Sequence, residues 1–78
     1  MTFTYEFAQT WLNAKLLLLK RAKTAYEVRL HCKSTQDDLF MLYERGALDL
    51  DEYTHALTTL LTARVVRIAE VSIQEACN

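Results

Sequence analysis

Glu44-Arg45-Gly46-Ala47-Leu48-Asp49-Leu50-Asp51-Glu52 contains the only glycine of a 78-residue chain that has no proline. The apolar run Leu39 to Tyr43 leads up to it. Gly46 therefore stands where a helix would close on a left-handed cap, a conformation that costs other L residues about 1–2 kcal/mol and glycine almost nothing. Beyond it, Asp49 and Glu52 have the three-residue spacing of a capping box, in which each side chain satisfies the other residue's N–H. The stretch reads as the turn of a helical hairpin. With proline and further glycine missing, neither β-hairpin turn chemistry nor the breakers of a multidomain chain is present, and residues 1–78 read as one all-α domain.

Working toward the N-terminus, Ser34 precedes Asp37 by three residues and Thr35 precedes Asp38 likewise, which resembles a capping box with Asp in place of Glu. This spacing predicts a long N-terminal helix over about residues 4–33, a short middle helix over 36–45 and a C-terminal helix over 50–76, forming an antiparallel hairpin or three-helix bundle. The alternative is one unbroken helix of roughly forty residues running through a polar patch at Ser34–Asp38, which leaves a two-helix hairpin.

A chain this short buries only about 60% of its unfolded surface, so support from disulfides, metal or oligomerisation is expected. Cys32 and Cys77 are the only cysteines. They allow one bridge at most, show no zinc spacing, and read as small core hydrophobes in a chain already 51% apolar. No cofactor or metal is implied, and self-association is the remaining support. No basic segment of signal-peptide type opens the chain. The longest purely apolar runs, Leu16–Leu19 and Leu39–Tyr43, fall far short of the ~20 residues that span a bilayer. A cytoplasmic, reducing setting with no membrane partner is the expectation.

Net charge is -1 but unevenly placed. Residues 1–33 hold six bases against Glu6 and Glu27, a local balance of +4, and residues 34–55 hold Arg45 against six acids, a balance of -5. Such a split is satisfied within the fold, between subunits or by a charged partner.

At about 100° per residue, the N-terminal helix shows two apolar stripes. Phe7, Trp11, Ala14, Leu18, Ala25 and Cys32 follow the alternation of a coiled-coil seam. Beside them lie Ala8, Leu12, Leu16, Leu19, Tyr26 and Leu30. The C-terminal helix offers Leu50, Tyr53, Leu57, Leu60, Leu61, Val65, Ile68 and Val71, enough to cover the first stripe. The short middle helix covers part of the second, and the remainder should meet another molecule. Trp11, Leu12, Leu16, Leu19, Tyr26 and Leu30 are thus the expected contact residues for a second copy, as a homodimer, or for another protein. Arg64 falls within the C-terminal helix's apolar face. Its head either snorkels to water or pairs with Asp37, Asp38 or Glu44 across an interface.

Catalysis needs convergent groups, and no phosphate loop, nucleophile elbow or metalloprotease motif is recognisable, so the chain does not read as an enzyme. Lys15, Lys20, Arg21, Lys23, Arg29 and Lys33 raise a nucleic-acid-associated regulator as an alternative. They spread around the helix, however, and Asp49, Asp51 and Glu52 open what would be a recognition helix. The acidic stretch 37–52 raises a third option, a phage-type inhibitor that mimics nucleic acid.

Residues 39–61, LFMLYERGALDLDEYTHALTTLL, resemble the short C-terminal helical hairpin domain of bacterial proteins known as SHOCT. The similar features are Leu39 and Leu42 before the turn, Gly46-Ala47-Leu48 within it, Asp51-Glu52 followed by Tyr53, and Leu60-Leu61 closing the second helix. Thr58, Thr59 and Thr62 depart from that domain's lysine-rich second helix. The resemblance implies a bacterial or phage origin and an interaction role, and transfers no catalytic residue. The sequence reading is therefore a small protein–protein interaction module: an adaptor, chaperone or inhibitor.

Overall fold

The computed structural model describes residues 5–77; the expected helix start at Thr4 lies outside them. Three helices form: α1 (Tyr5–Arg21), α2 (Ala25–Glu44) and α3 (Leu50–Cys77). No strand occurs among the described residues. The Gly46 turn sets α2 antiparallel to α3, and a second turn at residues 22–24 sets α1 antiparallel to α2. Phe7 and Trp11 thus meet Asp38 and Arg45, while Asn13 to Lys20 face Ala63 to Glu70. Each helix packs against both others, most extensively α2 against α3.

The hairpin turn forms as its residues dictate. Gly46 has φ +78°, its N–H donates to the Tyr43 carbonyl at 3.1 Å, and the Ala47 N–H donates to the Leu42 carbonyl at 2.9 Å, the paired bonds of a Schellman cap. Asp49 accepts from the Glu52 N–H at 2.8 Å and Glu52 accepts from the Asp49 N–H at 2.9 Å. Leu48 is buried between the two caps, and Tyr53 stacks on Tyr43 with ring centroids 4.8 Å apart.

The break between the first two helices is not at Ser34–Asp38. It falls at residues 22–24, where Thr24 adopts an extended backbone and its Oγ1 accepts from the Glu27 N–H at 3.1 Å. Glu27 Oε2 in turn accepts from the Lys23 N–H at 3.0 Å. Two forces decide this against the expected site. Asp is one methylene shorter than Glu, so Asp37 and Asp38 are poorly suited to close a reciprocal box. Val28, Cys32, Thr35 and Leu39, spaced at 4-3-4, are all buried in the core, and only an unbroken helix keeps them on one face. The Thr35 hydroxyl satisfies itself by donating to the His31 carbonyl at 2.8 Å. The single-helix alternative fails for the same reason in reverse: the helix that runs through Ser34–Asp38 begins at Ala25.

Ala8, Leu12 and Leu19 of α1, Val28, Cys32 and Leu39 of α2, and Ala56, Leu60 and Val71 of α3 make the core. Midway along the inner face of α3 this seam turns polar. Arg67 occupies a core-facing position with a side chain only 16% exposed, and its Nη2 donates to the Ala22 carbonyl at 2.7 Å. That carbonyl follows the end of α1, where no intrahelical donor remains. Arg67 also lies 3.9 Å from Glu70 on its own helix. Nothing in the local sequence pattern announces the Arg67 bond, which joins residues 45 positions apart.

Thr24→Ala should lower stability by about 1 kcal/mol in urea denaturation, whereas Ser34→Ala, at a fully helical exposed site, should change it by less than about 0.5 kcal/mol; the opposite ranking would place the break at residue 34. Arg67→Met keeps the aliphatic stem but strands the Ala22 carbonyl. It should cost about 1–3 kcal/mol in the same assay.

Candidate interaction surface

The residues expected to contact a partner do not share one surface. Leu12 and Leu19 are 4% and 1% exposed and belong to the core, and Trp11 and Leu16 pack against it half-buried. Tyr26 and Leu30 stand out on α2, 71% and 53% exposed. Their separation follows from the break at 22–24, which ends the continuous helical register on which the two stripes were drawn. Within α1 the assignment is reversed. Ala8, Leu12, Leu16 and Leu19, the stripe expected to remain uncovered, face the core. Phe7, Ala14 and Leu18, with half-buried Trp11, form the stripe that remains at the surface. An amphipathic indole on the surface stripe and aliphatic side chains on the other are the sequence signal for this orientation.

The middle helix is also longer than expected. With 20 residues against 17 in α1, it lines α1 from end to end. The inner face of α3 is correspondingly rotated: Ala56, Leu60, Arg67 and Val71 point inward, while Leu50 and Val65 are 62% and 68% exposed.

Large apolar side chains nonetheless remain at the surface of all three helices. The molecule is a rod of 46 × 19 × 15 Å with a radius of gyration of 13.6 Å, above the roughly 11.5 Å of a compact chain of this length. Its accessible surface of 5596 Å² exceeds the roughly 4,900 Å² typical of its mass. Single exposed apolar residues are ordinary; contiguous ones are informative. Two concave regions gather them. Between α1 and α3, Leu16, Leu17, Ala63 and Val66 line a groove of about 420 Å³ whose rim carries Lys20, Arg67 and Glu70. Between α1 and α2, Phe7, Trp11, Met41 and Leu42 line one of about 230 Å³, flanked by Asp38 and Arg45. The Lys15 ammonium lies 5.8 Å from the Trp11 ring centroid, near enough for a cation–π contact.

Arg64 is half-buried, with its guanidinium against the Cys32 thiol. Burial pushes the Cys32 pKa up, and the neighbouring Arg64 charge and hydrogen bond oppose that rise. Cys77, expected in the core, is exposed near the end of α3, whereas Cys32 is buried as expected; both are free thiols. The difference is one of length, since α3 runs past Val71, its last buried residue, and Ser72 to Cys77 are all exposed. Lys20, Arg21, Lys23, Arg29 and Lys33 are exposed on several sides of α1, α2 and their junction. Among the described residues no group of three or more His, Cys, Asp or Glu is placed to hold a metal ion, and no helix is long and apolar enough to cross a membrane.

No family model, curated protein or solved structure matches the chain.

Thiol chemistry checks the placement of the cysteines. One equivalent, at Cys77, should react with a disulfide reagent within seconds at pH 8, and Cys32 should react only when the protein is unfolded. Because burial holds the folded Cys32 pKa above 9.0, the unfolded chain binds fewer protons once pH exceeds that value. Stability should then fall as pH rises beyond it, a trend that Cys32→Ala should reduce.

Proposed function

We propose that this chain is a small protein-binding module that acts as an adaptor, chaperone or inhibitor through the apolar surface its three helices leave uncovered. The observation that carries the reading is the α1–α2 face. There Phe7, Leu18, Leu30 and Met41 are each 40–53% exposed on two helices that contribute Ala8, Leu12, Leu19, Val28, Cys32 and Leu39 to the core without them. Burying a large apolar side chain is worth about 1.5–3 kcal/mol, so four of them supply a driving force comparable with the stability of a domain this small. The resemblance of residues 39–61 to the SHOCT hairpin supports the same kind of role, because that segment forms the end of α2, the capped turn and the first half of α3.

The nucleic-acid alternative rests on Lys20, Arg21 and Lys23, exposed where α1 meets α2. The phage-type mimic rests on the acids around the Gly46 turn. Both predict binding that collapses with salt, whereas apolar contacts persist.

A photo-crosslinking residue in place of Leu30 tests the proposal inside cells that make the protein. Irradiation should yield discrete protein adducts, and Leu18→Glu should reduce their yield at least about tenfold, the equivalent of one lost apolar anchor. Absence of any protein adduct from position 30 and from position 18 would refute the proposed role.

A further inference from the structure

Resting on the reading of the α1–α2 face as a protein-binding surface, we propose that its occupant is a second copy of this chain, packed antiparallel about a two-fold axis through Ala14 and Ser34.

Three observations on the face point to that occupant. First, its apolar residues flank its middle on both sides, Phe7 and Met41 seven residues from Ala14 and Ser34, and Leu18 and Leu30 four residues from them. Phe7 and Met41 line the groove at the hairpin end together with Trp11. Carried along the two antiparallel helices, the same register sets Leu18 beside the turn of α2 that holds Leu30. Between these two apolar ends, at the midpoints of α1 and α2, stand Ala14 and Ser34, both exposed and both small. A two-fold axis at that midpoint lets two copies approach closely at the centre and lays the Phe7–Met41 end of each on the Leu18–Leu30 end of the other. Self-complementarity of this kind is what an isologous contact requires.

Second, the rod is charged oppositely at its two ends. Glu6, Asp38, Glu44, Asp49, Asp51 and Glu52 stand against Arg45 at the hairpin end. At the other, Lys20, Arg21, Lys23, Arg29 and Arg67 outnumber Glu27, Glu70 and Glu75. Parallel pairing places like ends together, and antiparallel pairing places each acidic end beside a basic one, so the charge pattern selects the orientation.

Third, the size fits. The α1–α2 face is about 30 Å long, from the ~1.5 Å rise of the 20-residue α2, and 19 Å wide. At roughly 570 Å² per copy a pair buries about 1,100 Å², just above the about 1,000 Å² that a specific interface needs.

Sedimentation equilibrium of the purified chain gives the first readout. A species of about 18 kDa, twice the 9.1 kDa chain, is expected at micromolar concentration, and Leu18→Glu combined with Met41→Glu should raise the dissociation constant at least tenfold with helicity unchanged by circular dichroism. Geometry is tested separately in a Cys77→Ser background. Ala14→Cys should form an intermolecular disulfide with itself. Phe7→Cys should not, but should link to Arg21→Cys when the two variants are mixed. A monomer at 100 μM, an Ala14→Cys protein that fails to self-link, or a Phe7→Cys protein that does would overturn the proposal. If the chain is monomeric while position 30 crosslinks to a different protein, the binding role stands and the second copy is wrong.

Discussion

The rest of the structure depends on how the chain turns between α1 and α2. Ending one helix and starting another within three residues leaves carbonyls of the first and N–H groups of the second without helical partners. Local chemistry settles the N–H side, through Thr24 and Glu27. On the carbonyl side the Ala22 N–H serves Leu18 and Leu19, and Arg67 serves the Ala22 carbonyl from α3. That bond requires α3 to lie against the junction, with Arg67 in its inner face. The polar interruption of the α3 seam is thus a consequence of where α1 stops.

From this constraint the burial pattern follows. With α1 only 17 residues long and α2 extended to 20, the two are matched in length and pack along their whole extent, and α3 lies against both. Ala8, Leu12 and Leu19 turn inward because that is the side on which α2 and α3 meet. Phe7 and Leu18 are left outside, on the face that the proposed function uses. Arg64, one turn before Arg67, is half-buried beside Cys32, so the inner side of α3 carries two guanidinium groups where an all-apolar seam would be expected. The Arg67 bond to the Ala22 carbonyl fixes the register of α3, whereas apolar packing alone would tolerate a slip of one turn more readily.

Why the two turns differ in legibility is a matter of range. At Gly46, everything that determines the turn lies within a few residues: a glycine able to take φ +78°, an apolar run before it and a full Asp–Glu box after it. At residues 22–24 the local signal was equally short, a Thr-x-x-Glu spacing, but it competes with Ser34–Asp37 and Thr35–Asp38 in the same chain. The choice between them rests on whether Val28, Cys32, Thr35 and Leu39 must share a face, and that is known only once α3 is in place.

The sequence by itself determined that the described residues are helical apart from short turns and that the chain turns back at Gly46, between the end of α2 and the start of α3. These are consequences of local backbone preference and composition. Only the tertiary structure decided where α1 ends, which stripe of α1 is core and which is surface, and that Arg67 is a structural residue. Each of these depends on contacts between residues far apart in sequence. A side chain's burial is set by the helix that lies across from it, and no periodicity within a single helix reports which of its faces that neighbour will choose.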